Sequence, residues 1–384
     1  MASNTRVRKN IMKIGITCYP TYGGSGVVAT ELGKNLARLG HEVHFMAYAM
    51  PYKLNAYYDK IFYHEVKVSD YPLFEYPPYS LALASAIAEI AHYKSLDIIH
   101  AHYAIPHAVS AYLAKKMLEK HHDLKVVTTL HGTDITLVGK DPSFLEVTRF
   151  GIDQSDAVTA VSRYLREKTY EIFQCTSDIQ VIYNFIEEHP DQKGSCPELR
   201  QSIAPNGEKI ISHLSNFRPV KRVVDVIEAA NLVMQKMPVK VMMIGDGPER
   251  SLAEKRAREL KIDQHIHFLG KQENVFLLLG TSDVFLMPSQ LESFGLAALE
   301  AMSCGIPCVT SKAGGLVELV KEGVNGFTVP VGDTAAMAEK ILHIISDDST
   351  YRKISSSTRE YAFQNFHADK IIPKYIELYQ KVLS

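Results

Sequence analysis

The chain has 384 residues, which is enough for two domains of ordinary size, each with its own hydrophobic core. Hydrophobic residues make up 46% of it and charged residues 22%, the balance of a globular protein. Because the formal net charge is -1, we expect no general affinity for nucleic acid or for an anionic membrane surface.

The sequence shows no signal for membrane insertion, secretion or cross-linking. No apolar run reaches the roughly 18–20 residues of a membrane span, and the basic start "MASNTRVRKN" lacks the apolar core of a secretion signal. The five cysteines have no paired C-x-x-C spacing, which predicts reduced thiols rather than a disulfide framework or a zinc site. We therefore expect a cytoplasmic protein.

From Lys13 the first half of the chain alternates β-branched runs with amphipathic stretches, a pattern typical of a parallel sheet covered by helices. Residues 1–11 precede the first run and are expected to be a flexible extension or a cloning remnant. The predicted strands are 13–19, 41–48, 97–102, 125–130, 156–161 and 179–184, and the predicted helices include 27–39, 80–95 and 105–120.

The second half repeats this alternation after a polar segment, 185–208, whose three prolines and two glycines indicate a linker. Its predicted strands are 209–215, 239–245, 265–270, 283–289 and 307–311, and the residues from Asp333 onward are helical in pattern. The sequence therefore predicts an α/β protein with two doubly wound Rossmann-like domains, 12–185 and 186–362, whose parallel sheets face each other across a cleft. Residues 363–384 are expected to form a helix that packs back on the first domain. Ligands of such sheets bind beyond the carboxyl ends of the strands.

A glycine-rich turn follows the first predicted strand. Gly24, Gly26 and Ala29 satisfy G-x-G-x-x-A, the fingerprint of dinucleotide binding, between a strand and a helix. A nicotinamide-binding domain usually has an acidic residue at the end of its second strand, and "FMAYAM" at 45–50 has none. A dehydrogenase is therefore a minor alternative, and a tight turn without a ligand also remains open.

Two loops of the second half combine glycines or cations with a following helix. Gly245 in "MIGDGPE" frees the backbone, although such turns are common in α/β folds. In "SNFRPVKRVVD", residues 215–225, three cations stand where a helix begins, namely Arg218, Lys221 and Arg222. Cations at a helix amino terminus are unfavourable, so an anionic ligand would offset that cost. A solvated basic patch is the alternative.

Two glutamates stand eight positions apart in "QLESFGLAALEAMSCGIPCV". Glu292 precedes a predicted helix, 296–303, and Glu300 lies inside it, while the amide groups at 294–297 offer an anion site. A regular helix would separate the two carboxylates by about 12 Å, beyond the roughly 5–9 Å of a glycosidase pair. A nucleotide-sugar fits better, with its diphosphate at the helix start and its hexose and ribose hydroxyls at the two acids.

The stretch "ESFGLAALEAMSCGIPCVTSKAGGLVELV" resembles the E-x7-E region of the retaining family 4 glycosyltransferases, which have the GT-B fold. The resemblance continues in "GDGPE", the basic loop, "NGFTV" and the first glycine turn, and it covers nearly the whole chain from Met12. Within the family, "HAHYAIPH" and "TTLHGTDITLVG" are similar to enzymes of bacillithiol biosynthesis. These transfer N-acetylglucosamine from UDP-GlcNAc to L-malate. Another acceptor, or a UDP-sugar epimerase of the same fold, remains open.

The resemblance implies a set of site residues. Catalytic roles are implied for Glu292, His131, Lys221 and Arg218. Donor binding is implied for Gly24, Ser25, Asn216, Arg218, Lys221, Gly245, Phe294, Gly295, Leu296 and Glu300. Acceptor binding is implied for Tyr103, Thr133, Arg149 and Asn184. The chain departs from the family's G-R-x-x-x-x-K pattern, because Asn216 stands where the arginine is usual.

No metal is expected to take part in the reaction. No two aspartates stand at i and i+2, so the Asp-x-Asp motif of metal-dependent sugar transferases is missing from the sequence. His100, His102 and His107 alternate near one strand, but a metal site there would need convergent geometry. The resemblance implies attack from the leaving-group face, with a donor phosphate oxygen taking the acceptor proton. A homodimer is an expectation from the family alone.

Overall fold

The computed structural model describes residues 11–21, 23–69, 72, 74–139, 141–193 and 196–384. It divides into two compact units. The first contains the described residues up to Val161, with Leu165–Ile182 and Ile372–Ser384, and the second contains Ser162–Tyr164 and Tyr183–Ile371. Of the expected extension at 1–11, only Ile11 lies within the described residues.

In the described part of the first unit, a seven-stranded parallel sheet has the order β3-β2-β1-β4-β5-β6-β7. The strands are β1 (Lys13–Thr17), β2 (Glu42–Ala47), β3 (Ile61–Glu65), β4 (Ile98–His102), β5 (Lys125–Leu130), β6 (Ala157–Ala160) and β7 (Ile179–Val181). The helices are α1 (Gly24–Arg38), α2 (Tyr79–Lys94), α3 (Val109–Leu118), α4 (Thr133–Thr136), α5 (Leu145–Asp153) and α6 (Arg163–Phe173), with a π-helical turn at Ala104–Ala108. The central strands β1, β4 and β5 are buried on both faces and contain polar as well as apolar residues.

The second unit repeats this design with six parallel strands among its described residues, in the order β10-β9-β8-β11-β12-β13. The strands are β8 (Lys209–Leu214), β9 (Val239–Ile244), β10 (Ile266–Gly270), β11 (Val284–Met287), β12 (Cys308–Ser311) and β13 (Gly326–Val329). The helices are α7 (Pro197–Ile203), α8 (Val223–Met234), α9 (Arg250–Glu259), α10 (Val275–Thr281), α11 (Leu296–Ser303), α12 (Leu316–Leu319), α13 (Thr334–Ile345) and α14 (Asp348–Phe366). Helix α15 (Ala368–Leu383) begins in the second unit and belongs to the first from Ile372 onward, and the first two residues of α6 belong to the second unit. Short 3-10 turns occur at Pro190–Lys193, Pro219–Lys221 and Asp263–His265.

Each sheet has one point where the strand order reverses direction. In the first unit it lies between β1 and β4, and in the second between β8 and β11. Loops leaving neighbouring strands diverge there, which opens a crevice beyond the carboxyl ends of the strands. These two points determine where to look for a site in each unit.

All eleven strands predicted from the sequence are present, and the predicted helix at 296–303 is α11 with the same bounds. Within the described residues, the prediction missed β3 and β13. The predicted helix at 105–120 is divided, because Ile105 has an extended backbone (φ -127°, ψ 140°) inside the π-helical turn that precedes α3.

The five cysteines, all at described positions, are free thiols. None of the helices in the described part of the chain combines the length and the apolar character that a bilayer crossing requires.

A layer of polar side chains lies inside the otherwise apolar core of the first unit. His100 on β4 places Nδ1 2.7 Å from the hydroxyl of Tyr379 on α15, and Nε2 2.7 Å from Oγ1 of Thr129. Thr129 in turn is 2.7 Å from Oγ1 of Thr159. All four side chains are fully buried, so their hydrogen bonds offset the cost of removing them from water. The last helix is thereby fixed to β4 of the same unit.

Three histidines of the first unit, His100, His107 and His131, make its stability depend on pH. Burial lowers the pKa of His100, His107 and His131 to about 3, whereas an unfolded histidine titrates near about 6.5. Below that value the unfolded chain binds protons that the folded chain does not. The stability is therefore complete above about pH 6.5 and falls as the pH decreases, by up to about 1.4 kcal/mol per pH unit for each histidine.

Urea unfolding between pH 5 and pH 8 measures this slope. We expect His100→Asn to reduce the slope of the free energy of unfolding with pH by the contribution of about one proton. The control His121→Asn, at an exposed position of the same unit, should leave the slope unchanged. A free energy of unfolding that does not change between pH 7 and pH 5 would contradict the prediction.

Candidate active site

The two loops that diverge in the second unit carry a cation and a carboxylate that contact each other. Lys221 ends the turn after β8, and Glu292 lies in the loop after β11. Nζ of Lys221 donates to Oε1 of Glu292 over 2.5 Å, and Oγ of Ser289 donates to the same oxygen over 2.8 Å. The two side chains are 19% and 11% exposed, so the ammonium group is oriented and yet accessible to a small anion.

The backbone beneath Glu292 is held by further hydrogen bonds. Its carbonyl oxygen accepts from the amide of Gly315 over 2.9 Å, and the carbonyl of Ser293 accepts from Oγ of Ser162 over 2.5 Å. A Cβ atom at Gly314, where φ is 54°, would lie 2.0 Å from the carbonyl oxygen of Glu292. The Gly-Gly pair of "GGLVELV" is therefore required by the close approach of this loop.

A carboxylate further along the same motif fixes the segment that contains Ser162. The side chain of Glu318 accepts from the amides of Arg163 over 3.1 Å and Tyr164 over 2.8 Å. It also accepts from the hydroxyl of Tyr183 over 2.9 Å. Glu318 thus satisfies the first amides of α6 and secures the residues that support the Glu292 loop.

Helix α11 begins directly after this loop. Gly295 precedes it with a φ of 99°, and a Cβ atom there would lie 2.5 Å from Leu316. The side chain of Phe294 is 2% exposed and packs against the rings of Tyr183 and Phe366, so only its backbone is placed to meet a ligand. Leu296 is the first helical residue, and Glu300 lies in the second turn, close enough to Cys304 to help raise the pKa of its thiol, which burial raises most.

The glycine turn after β9 packs against the basic loop. A Cβ atom at Gly245, where φ is 114°, would lie 1.8 Å from the carbonyl oxygen of Ser215, and one at Gly247 would lie 2.1 Å from that of Asn216. The space that these glycines leave is therefore filled by the protein's own backbone. Asn216 and Arg218 are exposed, and the guanidinium group of Arg218 makes no ion pair with any residue that the structure describes.

Arg222 has a different environment from the two neighbouring cations. Its guanidinium group is bound by Asp225 in the first turn of α8, with Nε 2.6 Å from Oδ2. The sequence analysis assigned site roles to Lys221 and Arg218 and none to Arg222. The structure directs Lys221 to Glu292 and Arg222 to its own helix.

In the first unit, residues predicted for different substrates lie together. Tyr103 follows β4 with a φ of 99°, a strained value for a residue other than glycine. Its side chain is hydrogen-bonded to those of Ser25 and Thr133, and burial raises its pKa to about 12. Ser25 was assigned to the donor, and Tyr103 and Thr133 to the acceptor. The structure gathers all three in one cluster.

Asp134 joins the loops after β4 and β5, a role that the sequence analysis did not assign. Its Oδ1 accepts from the amides of Gly132 over 2.9 Å and His131 over 3.3 Å, while Oδ2 accepts from the amide of Ala104 over 3.0 Å. Burial raises its pKa to about 6, although these amides act in the opposite direction. The only signal in the sequence was the position of Asp134 within "TLHGTD".

Burial lowers the pKa of each of the histidines near these loops, and their rings contact other protein groups. Nε2 of His131 lies 2.9 Å from Nδ1 of His102, and His100 is bonded to Tyr379 and Thr129. The ring of His107 packs against that of Tyr19, with centroids 4.7 Å apart. Across the described residues, no group of three or more histidines, cysteines and acids is arranged to hold a metal ion.

The remaining predicted residues are Gly24, Arg149 and Asn184. Gly24 is the exposed first residue of α1, and Gly26 forms the tight turn, because a Cβ atom there would lie 2.7 Å from two carbonyl oxygens. Arg149 is on α5, where its Nε is 3.8 Å from Asp153. Asn184 is buried in the second unit, and its Oδ1 atom lacks a hydrogen-bond partner among the described residues.

Comparison with known proteins was made for the whole chain. Residues 197–361 match the family model of glycosyl transferases group 1, and residues 22–189 match that of glycosyltransferase family 4. The N-acetyl-alpha-D-glucosaminyl L-malate synthase of Bacillus anthracis is 47% identical over 373 residues, which are 97% of this chain and 97% of that protein. An uncharacterized glycosyltransferase of Methanocaldococcus jannaschii is 27% identical over 93% of this chain and 94% of its own.

Solved structures have the same fold. A glycosyltransferase from Rickettsia africae superposes with a TM-score of 0.80 at 22% identity and covers 98% of this chain and 99% of its own. Anabaena HepE in complex with UDP and glucose superposes with a TM-score of 0.78 at 23% identity, over 96% of this chain and 99% of its own.

These matches exclude the alternative that the chain is a dehydrogenase. Since identity of 47% extends over nearly all of both chains, the chain belongs to glycosyltransferase family 4, and its fold is GT-B.

Proposed function

We propose that the chain transfers N-acetylglucosamine from UDP-GlcNAc to L-malate with retention of the α configuration. The product, GlcNAc-α-malate, is the first intermediate of bacillithiol synthesis. The proposal is supported by full-length similarity to the Bacillus anthracis enzyme named for this product. In the structure, the main observation that supports the proposal is the contact of Lys221 with Glu292 beside the start of α11.

The second unit binds the donor in this proposal. A diphosphate placed at the start of α11 meets the free amides of the helix and the ammonium group of Lys221. Glu292 holds that ammonium group before the donor binds and then accepts from a sugar hydroxyl. Arg218 adds a second cation from the exposed side, Asn216 and Gly245 border the nucleotide, and Glu300 reaches the ribose hydroxyls.

The chemical step needs no metal ion. The bond between the anomeric carbon and the β-phosphate oxygen breaks, and its electron pair remains on the phosphate. The hydroxyl oxygen of malate bonds to the same face of that carbon, and its proton passes to the departing phosphate oxygen. Lys221, Arg218 and the amides of α11 stabilise the negative charge that develops on the UDP.

The first unit binds the acceptor in this proposal. The hydroxyl groups of Ser25 at the start of α1, Tyr103 after β4 and Thr133 at the start of α4 are hydrogen-bonded together and are suited to a small polar acceptor. Arg149 supplies a guanidinium group that can bind a carboxylate in a bidentate manner. The family resemblance assigns His131 to the donor sugar and Asn184 to the acceptor.

The acceptor is tested by UDP release from UDP-GlcNAc. We expect rapid release with L-malate and background release with inositol phosphate or simple sugars, because the proposed pocket presents hydroxyls and one arginine for a small dicarboxylate. The glycosidic product is then identified by mass spectrometry. Release that requires a sugar acceptor would contradict the malate assignment, and isomerised UDP-sugar without UDP release would indicate an epimerase.

The donor site is tested by Lys221→Ala and Glu292→Gln. Both variants should lower kcat by well over about tenfold, a typical loss when a group that stabilises developing charge is removed. Arg222→Ala is the matched control, because Asp225 already engages its guanidinium group and we place it outside the site. Wild-type rates in both test variants would show that the donor binds elsewhere.

Whether the reaction needs a metal ion is tested by chelation. We expect the initial rate of UDP release to be the same with and without excess EDTA, since protein cations and helix amides carry the charge of the diphosphate. A rate that falls with EDTA and returns with added Mg²⁺ or Mn²⁺ would refute this part of the proposal.

A further inference from the structure

Two histidines that end neighbouring strands of the first unit are bonded to each other. His102 closes β4 and is fully buried, while the half-buried His131 follows β5. Nδ1 of His102 lies 2.9 Å from Nε2 of His131, and the two rings are stacked with an interplanar angle of 22°. Among the described residues, neither Nε2 of His102 nor Nδ1 of His131 has a hydrogen-bond partner.

Only one proton can lie between the two rings when both are neutral. If Nδ1 of His102 carries it, Nε2 of His131 accepts, and His102 buries an unpaired lone pair at its own Nε2. If Nε2 of His131 carries it, the proton of His102 is on its buried Nε2 and has no acceptor. Buried donors without a partner are rarer in proteins than buried acceptors without one. The first arrangement is therefore favoured.

We propose that His102 is a positioning residue that fixes the tautomer of His131, so that His131 presents Nδ1–H to the substrate as a hydrogen-bond donor. The fixed tautomer follows from the geometry alone, while its use in transfer rests on the proposed function. The ligand group that suits such a donor is an oxygen with a free lone pair, such as a sugar hydroxyl or an acetamido carbonyl.

The neutral state of this donor suits the reaction. Positive charge develops on the anomeric carbon as the bond to the phosphate breaks, and an imidazolium ion nearby would oppose it. Burial and the neighbouring His107 lower the pKa of His131, which keeps the ring neutral. His131 can then orient the sugar without adding charge beside the reacting carbon.

The test compares wild type with His102→Leu and His102→Asn. Leucine removes the hydrogen bond, whereas the asparagine side-chain amide can place an N–H close to the position of Nδ1 of His102. The matched control is His44→Leu, because His44 is also a buried histidine bonded to a histidine, His64 at 2.8 Å, but lies on β2. Nitrogen-15 spectra of histidine-labelled protein, with His131 assigned from His131→Asn, show which ring nitrogen carries the proton.

We expect His131 to be protonated on Nδ1 in wild type, in His102→Asn and in His44→Leu, and to exchange between tautomers in His102→Leu. In UDP-release assays with UDP-GlcNAc and L-malate, His102→Leu should lose about tenfold or more in kcat. Losses of this order follow when the partner that orients a functional histidine is removed from metal sites. The KM for UDP-GlcNAc should change less than kcat, and His102→Asn should recover most of the rate.

A wild-type His131 protonated on Nε2 would overturn the inference, even if His102→Leu fails to fold. A His102→Leu variant that keeps both the Nδ1 tautomer and the wild-type kcat would overturn it as well. The proposed function fails separately: without malate-dependent UDP release, an Nδ1-protonated His131 would still support the fixed tautomer.

Discussion

Loops that leave parallel strands have no sheet hydrogen bonds of their own, and in this chain carboxylates hold them. Asp134 binds amides of the loops after β4 and β5 in the first unit. Glu292 binds Lys221 from the neighbouring loop of the second unit, and Glu318 binds the amides that begin α6. A partly buried carboxylate is costly unless several donors satisfy it, so each of these acids fixes the positions of the groups around it. The geometry of both clusters depends on this constraint.

The fold could be read from the sequence because its signals are local. Every central strand is a short β-branched run, and α11 is bounded by Gly295 and Gly305. The two strands that were missed are weak signals for physical reasons. β3 is an edge strand whose residues are only partly buried, and β13 is four residues long and begins with glycine. The extended backbone at Ile105, which divides a predicted helix, depends on packing that a periodic pattern does not show.

The candidate site could be predicted only in part. The motifs led to Lys221 and Glu292, and the family resemblance led to His131, but neither showed that Lys221 and Glu292 contact each other. The supporting groups act across long separations in sequence. Ser162 reaches Ser293 over 131 positions, and Tyr164 reaches Glu318 over 154. No local pattern encodes such a contact. The glycine pattern also did not indicate that the space beside Gly245 is filled by the carbonyl of Ser215.

The clusters in the two units differ in their electrostatic character. The cluster in the second unit is ionic, because Lys221, Arg218 and the amides of α11 suit a diphosphate whose charge grows as it leaves. In the first unit the side chains of Tyr103 and His131 are kept neutral, since burial raises the pKa of Tyr103 and lowers that of His131. Neutral donors can orient a sugar hydroxyl in a region of low dielectric, where a fixed cation would repel a carbon that becomes positive. The buried layer in which His100 is bonded to Tyr379 and Thr129 is kept neutral in the same way, because burial lowers the pKa of that histidine as well.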